Sequence, residues 1–515
     1  MTAVERAAEA TARRPRAVRR ASLPAAVVVC ALARLWYLGG PAAQFNADEA
    51  TTGLMVREIL GGRHFTFYAG QHYGGTLEQY LQAAVYLLVP MPSTAWTLRL
   101  PLVALSMLTC ALVHLLADRV LGSPVRAGLA ALLYAVSPWF NVVGSVTSLG
   151  FYVAGQTLSV AALYAALRAG ADRRTGGWLA GAGLAAGLAV WTSLTSLYVL
   201  LPVAWWLLPV LGRDVRRWGA AAGGFVVGAL PVLAWVGWHR TLPLPPEPAE
   251  ASSVVDRLGN LAEPVLREYV GVAYPHGDGG LPLPVQIGVV VLLVAAYAVA
   301  LLRRRGLRDF LLLRVSRRRP GDLLLAVPPV VAACYAVSDS TWYTGTPRYL
   351  LVTYPLLAVG LAALVPLGSP TRRAATALVV VLSAVLTAGF FRDQVRSQPS
   401  TRNRDAVLRQ VTDRLVAEGE TRVRAGYWTA MPLQYVAGDR LVVAVCGGVA
   451  RFPAAQAEVA AAPAPVYVGS DHDGTDDRIP AALTARGITF RSTRVGFLTV
   501  YDRLSVAAGP ADLCL

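Results

Sequence analysis

Leu23-Pro-Ala-Ala-Val-Val-Val-Cys30-Ala-Leu-Ala-Arg-Leu-Trp-Tyr-Leu-Gly39 is an apolar run long enough to cross a bilayer, and Gly39-Gly40-Pro41 stops it as a helix. What flanks the run decides how it is read. Before it stand Arg13, Arg14, Arg16, Arg19 and Arg20, the basic side of a topology signal. After it comes an acidic stretch, Phe45-Asn-Ala-Asp48-Glu49-Ala-Thr-Thr-Gly53, continued by Gly70-Gln-His72-Tyr73-Gly-Gly-Thr-Leu-Glu78-Gln-Tyr80. With no small-x-small cleavage site before that stretch, the run reads as a retained first span with a cytoplasmic N-terminus, not as a signal peptide. Residues 1–22 then form a cytoplasmic basic tail, and 40–97 the first outer loop.

Moving outward, ten further runs of spanning character lie at about 98–117, 127–143, 150–167, 177–191, 195–211, 218–237, 284–302, 322–338, 349–366 and 374–391. The 515-residue chain is 55% hydrophobic and only 15% charged. A soluble protein carries nearer a quarter. The net charge of +16 could suggest nucleic acid, but no lysine is present, so all 47 basic residues are arginine, and they sit between the apolar runs. The loops 118–126, 168–174, 213–217, 303–319 and 372–373 are arginine-bearing, the fourth with eight, whereas 144–149 and 192–194 have none. That alternation predicts an α-helical polytopic membrane protein of about eleven spans, N-terminus in and C-terminus out, with residues 23–391 as the membrane domain. Residues 76–90 are too short to span. Leu77, Tyr80, Leu81, Ala84, Val85 and Leu88 make one apolar side and Glu78, Gln79 and Gln82 the other, so this segment is expected to lie in the interface.

Beyond Phe391 the chain becomes charged and Pro/Gly-punctuated. Helical periodicity over 402–418, strand-like runs at 441–445, 465–468 and 495–501, and an Ala/Leu helix near 480–486 predict an extracytoplasmic α/β domain over 392–515. Cys30, Cys110 and Cys334 fall inside apolar runs, as small core residues do, while Cys446 and Cys514 could pair if the tail faces an oxidising compartment. The Asp471-His-Asp-Gly-Thr-Asp476-Asp477 run has the charge density of a calcium loop, but its glycine falls too early for an EF-hand, and a solvated turn is the simpler reading.

Three groups of residues could do chemistry. Asp48 and Glu49 offer a carboxylate base at the membrane surface, against the plainer reading that they cap the helix beginning near Ala50. Arg348 and Tyr349, at the outer mouth of a span, could grip a phosphate, or simply anchor a helix end in the interface. His72, Tyr73 and Glu78 could position substrate, and His72 with a carboxylate could hold a metal, although one histidine is weak support. The loop 238–283, with Glu268 and His276, and the stretch from Asp339 to Tyr349 are further outer segments.

The order of these pieces resembles the glycosyltransferase-C superfamily, and within it enzymes similar to protein O-mannosyltransferases and the aminoarabinose transferases of lipid A. The matching text is Asp48-Glu49-Ala-x-x-Gly53, Gly61-Gly62, Tyr73-Gly-Gly-Thr-Leu-x-Gln-Tyr80-Leu, Leu98-Arg99-Leu100-Pro101, Ser137-Pro138, Pro347-Arg348-Tyr349-Leu-x-x-x-Tyr354-Pro355 and, in the tail, Gly426-Tyr427-Trp428. The resemblance implies a polyprenyl-phosphate-linked sugar donor used at the extracytoplasmic face, with inversion at the anomeric carbon in a single displacement. It implies Asp48 as base or acceptor-orienting acid, Glu49 as second candidate, Arg348 as neutraliser of the leaving phosphate, and Tyr349 with the 71–80 segment as pocket wall. A basic residue that many relatives carry near Tyr73-Gly74-Gly75 is missing here, which leaves a second phosphate contact unassigned. A divalent metal ion is left open, and the acceptor could be a protein, a glycan or a lipid.

Two other function classes compete. A lipid or polysaccharide flippase should carry ionisable residues in mid-span. The expectation from sequence is that the spans hold few, His114 and Asp118 near the end of one, and that charge gathers at the outer mouth. An inactive relative that binds glycan through its tail is the other. The Arg- and Ala-rich composition points to a GC-rich bacterial source, hence to the plasma membrane.

Overall fold

The computed structural model describes residues 3–40, 43, 45–89, 91, 94–171, 174–245, 252–275, 280–303, 305–314, 319–338, 346–365, 370–397, 404–447, 449–463, 465–471 and 474–505. His276, Asp339 and Cys514 lie outside them. The chain divides into two compact units: residues 1–37, 100–147 and 151–393, and residues 38–99, 148–150 and 394–515.

The first unit is helical. Across the described residues of the chain, eight helical stretches are long and apolar enough to cross a membrane: Ala21–Gly39, Ala95–Leu121, Leu194–Leu211, Val215–His239, Leu283–Arg303, Pro320–Val337, Pro347–Leu364 and Thr376–Arg396. The chain is a multi-pass membrane protein. The other three runs expected to span are also helical, at Pro124–Val136 with Trp139–Gly144, at Tyr152–Ala169 and at Thr175–Thr192. The run expected as one span over 127–143 is broken at Ser137-Pro138, where proline removes an amide donor and biases the residue before it away from helix.

Helices 175–192 and 215–239 pack backbone to backbone. A Cβ on Gly183 would run into the Ala221 carbonyl, on Gly187 into that of Phe225, on Gly224 into that of Ala180, and on Gly228 into that of Leu184. Two small-xxx-small faces, Gly183/Gly187 and Gly224/Gly228, thus replace side-chain interdigitation, the packing available where the hydrophobic effect cannot drive helix association.

The second unit is built on a five-stranded sheet in the order β2-β1-β3-β5-β4, with β1 Arg422–Ala425, β2 Val442–Val445, β3 Val466–Ser470, β4 Arg491–Val495 and β5 Leu498–Asp502. Strands β1, β2 and β3 are parallel and β4–β5 is a hairpin. The single strand expected over 495–501 is therefore the turn of that hairpin plus β5, with Gly496 at φ +62°. Strand β1 escaped the sequence reading because Arg422 and Arg424 break its apolar pattern, yet Arg424 is buried. Residues 45–59 and Leu98 share one core with the sheet domain, Phe45, Val56 and Ile59 joining Leu408, Val411, Val423 and Tyr435. Gly53 makes this closeness tolerable, since a Cβ there would enter the Tyr435 ring. Cys446 is disulfide-bonded.

Helix Leu77–Leu88 is inside out. Glu78, Gln79, Gln82 and Ala83 are buried. Gln82 Nε2 donates to the Leu98 carbonyl at 2.9 Å and to Ser148 Oγ at 3.1 Å, and Gln79 Nε2 donates to the Gly150 carbonyl at 2.8 Å. Leu87 and Leu88 are 74% and 81% exposed. At 12 residues it is far short of a span, and an outward apolar face suits the interface expected of it.

Gly228→Leu should lower the thermal unfolding midpoint of the detergent-solubilised protein by the equivalent of several kcal/mol, because backbone cannot yield as a side chain can. Gly223→Ala, on the same helix with open space around it, should leave the midpoint within a few degrees. Equal midpoints for the two variants would refute the close packing.

Candidate active site

Helix Ala47–Leu60 begins with a capping box: Glu49 N donates to Asn46 Oδ1 at 2.9 Å, and Asn46 N donates to Glu49 Oε2 at 3.4 Å. The acidic pair splits at once. Glu49 is fully buried and clamped by Arg99, Nε to Oε1 at 2.6 Å and Nη2 to Oε2 at 2.5 Å, while Ser148 N donates to Oε1 at 3.1 Å. Both of its oxygens are engaged. Arg99 Nη1 also donates to the Ala43 carbonyl at 3.0 Å, so the arginine of Leu98-Arg99-Leu100-Pro101 fixes the entry of the helix.

Asp48 faces elsewhere. Tyr427 OH donates to its Oδ1 at 2.7 Å, and Oδ2 has no hydrogen bond among the described residues. Tyr68 OH donates to the Asp48 carbonyl at 2.6 Å. Arg451 lies over both tyrosines, 5.3 Å from each ring centroid, with Nη1 donating to the Ala69 carbonyl at 3.1 Å and to Gln71 Oε1 at 2.8 Å. Burial pushes the Tyr68 phenol well above its usual range, and Tyr427 and the Asp48 charge push the same way. Burial, then Asp48, likewise raises Tyr427, so both phenols stay protonated as donors. Burial opposes the charge on Arg451, but Tyr427, Tyr68 and Asp48 outweigh it and its pKa is raised.

Tyr427 and Arg451 are the site residues that sequence reasoning did not assign. Tyr427 stood within a quoted motif, but nothing local ties it to a residue 379 positions earlier. Of the other candidates, His72 is exposed, Tyr73 is partly buried with its carbonyl accepting from Gln71 Nε2 at 3.0 Å, and Glu78 is buried on the inner face of its helix. Among the described residues no group of three or more His, Cys, Asp or Glu could hold a metal ion. In the calcium-like run, Arg494 pairs with both Asp471 and Asp476, the latter at 2.7 Å.

Arg348 and Tyr349 belong to the helical unit, partly buried on a 3-10 segment, Pro347–Thr353. A polar network inside the unit reaches this segment. Gln156 Nε2 donates to the Leu351 carbonyl at 2.5 Å, and Tyr134 OH donates to Gln156 Oε1 at 2.9 Å. Arg34, in the first span, is fully buried and donates to Ser106 Oγ at 2.9 Å and to the Tyr134 and Ala135 carbonyls. The sequence reading passed over this mid-span charge. All three of its guanidinium nitrogens are occupied, which is the arrangement of a structural cross-link. On the other side of Pro347–Thr353, Tyr269 shares a 2.8 Å hydrogen bond with Thr353 and stacks on Tyr354 at 4.5 Å. Beside it Glu268 is 5% exposed, its Oε2 unpartnered among the described residues. Burial pushes this carboxyl up to about 7, with Arg267 pulling the other way.

Residues 76–238 match the family model described as dolichyl-phosphate-mannose-protein mannosyltransferase. No curated protein matches the sequence significantly. The crystal structure of ArnT from Cupriavidus metallidurans bound to undecaprenyl phosphate aligns with TM-score 0.61 at 14% identity, covering 95% of this chain and 98% of that one. ArnT in the apo state gives 0.57 at 14% identity, covering 94% and 99%. An Archaeoglobus fulgidus oligosaccharyltransferase in the apo form gives 0.49 at 14% identity, covering 90% of this chain and 71% of that one. The likeness to ArnT is one of fold, and it is the polytopic membrane fold with a small C-terminal sheet that the motif order implied.

Glu49→Ala should cost about 3–5 kcal/mol of stability, because Arg99 would be left buried and unpaired, whereas Asp48→Asn should fold normally. Unfolding midpoints in detergent check both, and an Asp48→Asn protein as unstable as Glu49→Ala would overturn the division of roles. Glu268 gives a pH signature. Its folded pKa of about 7 lies above the reference 4.5, so the folded form holds the proton more tightly and stability falls as pH rises between those values. The loss is at most about 3 kcal/mol. Glu268→Gln should therefore melt increasingly above the wild type from pH 5 to pH 8, and a constant gap would refute the shift.

Proposed function

We propose that the chain is an inverting membrane glycosyltransferase that moves a sugar from a polyprenyl-phosphate-linked donor to a hydroxyl acceptor at the extracytoplasmic face. The observation that carries the reading is the division within the acidic pair. Glu49 has both oxygens committed to the fold, while Asp48 has one oxygen held by Tyr427 and the other without a partner among the described residues. A carboxylate oriented through one oxygen and open at the other is what a general base requires. The match of residues 76–238 to dolichyl-phosphate-mannose-protein mannosyltransferases and the fold of ArnT, solved with undecaprenyl phosphate, support the donor class.

In the proposed reaction the acceptor hydroxyl gives its proton to Asp48 Oδ2 as its oxygen attacks the anomeric carbon. The bond from that carbon to the phosphate oxygen breaks, and its electron pair leaves with the phosphate. Arg348 is assigned to the developing phosphate charge, where a guanidinium offers paired donors. Tyr349, Tyr73 and the 71–80 segment are assigned to the pocket wall, and Glu49 supports Asp48 instead of replacing it. The active site and the sheet domain are placed on the extracytoplasmic side of a bacterial plasma membrane. The flippase alternative gains nothing from Arg34, each of whose guanidinium nitrogens donates within the helical unit.

Purified protein given a labelled polyprenyl-phosphate sugar should release free polyprenyl phosphate when an acceptor is present. Asp48→Asn should reduce transfer by about a thousandfold or more while still inserting. Tyr427→Phe should lower kcat by about tenfold with the donor KM unchanged. Arg348→Ala should mainly raise the donor KM. Transport of intact donor with no release of polyprenyl phosphate would favour the flippase class, and full transfer by Asp48→Asn would remove that residue from the mechanism.

A further inference from the structure

Arg451 is a partly buried cation near Asp48. Its hydrogen bonds go to the neutral Ala69 carbonyl and Gln71 side chain, and it forms no ion pair among the described residues. Its Nε is buried with no hydrogen-bond partner among the described residues. Two bonds from Nη1 to neutral acceptors do not call for a full charge, since an uncharged donor could make them. Burial disfavours the charge there, and its surroundings, Asp48 among them, keep it. What faces it is Tyr68 and Tyr427, the two phenols that bond Asp48, and the Asp48 charge is felt at Arg451. Asp48 in turn has no ion-pair partner among the described residues. An unpaired carboxylate and an unpaired guanidinium thus flank the same two rings.

The frame holding them is stiff. Gly70 has φ +71°, and a Cβ there would lie 2.9 Å from both the Ala450 carbonyl oxygen and Arg451 Cα, so the backbone at 450–451 is seated directly against the first loop. The backbone that carries Arg451 is seated by that contact, and the guanidinium is held by the hydrogen bonds of Nη1 to Ala69 and Gln71.

Resting on the proposed reaction, we propose that Arg451 is an anion subsite of the Asp48 centre that takes a phosphate group of the substrate. The chemistry asks for one. A phosphate approaching Asp48 meets like charge, and it gains negative charge as the sugar leaves. A cation held beside the base relieves both, and the planar fork of arginine suits phosphate oxygens. The phosphate could belong to the membrane-dissolved donor or be free in solution.

The test uses the full chain in nanodiscs and measures binding of undecaprenyl monophosphate and, separately, of inorganic phosphate. Arg451→Gln should weaken undecaprenyl monophosphate binding by about 10- to 100-fold, with Arg451→Lys recovering most of it through its charge. Loss of inorganic phosphate binding with the lipid unaffected would support the subsite but assign it to free phosphate. Wild-type binding of both ligands by a folded Arg451→Gln would overturn the proposal. Should Arg451→Gln fail to fold, Arg451→Met decides in its place, and a folded methionine variant that binds both ligands as the wild type does sinks the proposal. Failure of the parent reading looks different: wild-type protein would neither bind undecaprenyl monophosphate nor release it from a labelled donor.

Discussion

The clamp of Arg99 on Glu49 is the constraint from which the rest of the site follows. It is a bidentate ion pair with the carboxylate wholly out of water, and such a pair is stable only when its remaining lone pairs are also satisfied. The Ser148 amide and the Asn46 capping contact do this. With both oxygens of Glu49 used, the helix 47–60 cannot rotate about its axis without breaking the pair, and its first turn must present Asp48 away from Arg99. The acidic doublet is thereby two residues with different physics: one fixes the backbone, the other keeps one oxygen without a hydrogen bond among the described residues.

That fixed turn would be of little use without a second wall, which comes from the far end of the chain. Phe45, Val56, Ile59 and Leu98 are not a loop laid over a domain but part of the same apolar core as Leu408, Val411, Val423 and Tyr435. Gly53 and Gly70 are the places where this joint core would fail first, because each sits where a methyl group would strike a ring or a backbone. Tyr427 and Arg451 are delivered to Asp48 by that packing.

Much of this was legible in the sequence. Apolar run lengths and arginine placement gave a polytopic helical protein, and the two-faced pattern of 77–88 gave a helix too short to span, whose polar side turned out to be its inner one. The helices 152–169 and 175–192 carry polar and small residues because they are buried among other helices, so hydropathy alone describes them poorly. Arg34 was hidden by the apolar run around it, since nothing in a linear pattern announces carbonyls and hydroxyls arriving from other helices. Strand β1 was hidden by its arginines. The cation of the Asp48 site was invisible for a plainer reason: Arg451 lies in an unremarkable Ala-Arg-Phe context, and only the fold sets it beside residues 68–71.

The shared core also fixes an order of events in biosynthesis. Residues 38–99 leave the ribosome about 300 residues before the sheet domain that completes their core. At ordinary elongation rates that gap lasts roughly 15 to 60 seconds. Throughout it the carboxylate turn lacks the apolar partners and the phenol that hold it in its folded geometry. The geometry around Asp48 is complete only once the sheet domain has been made.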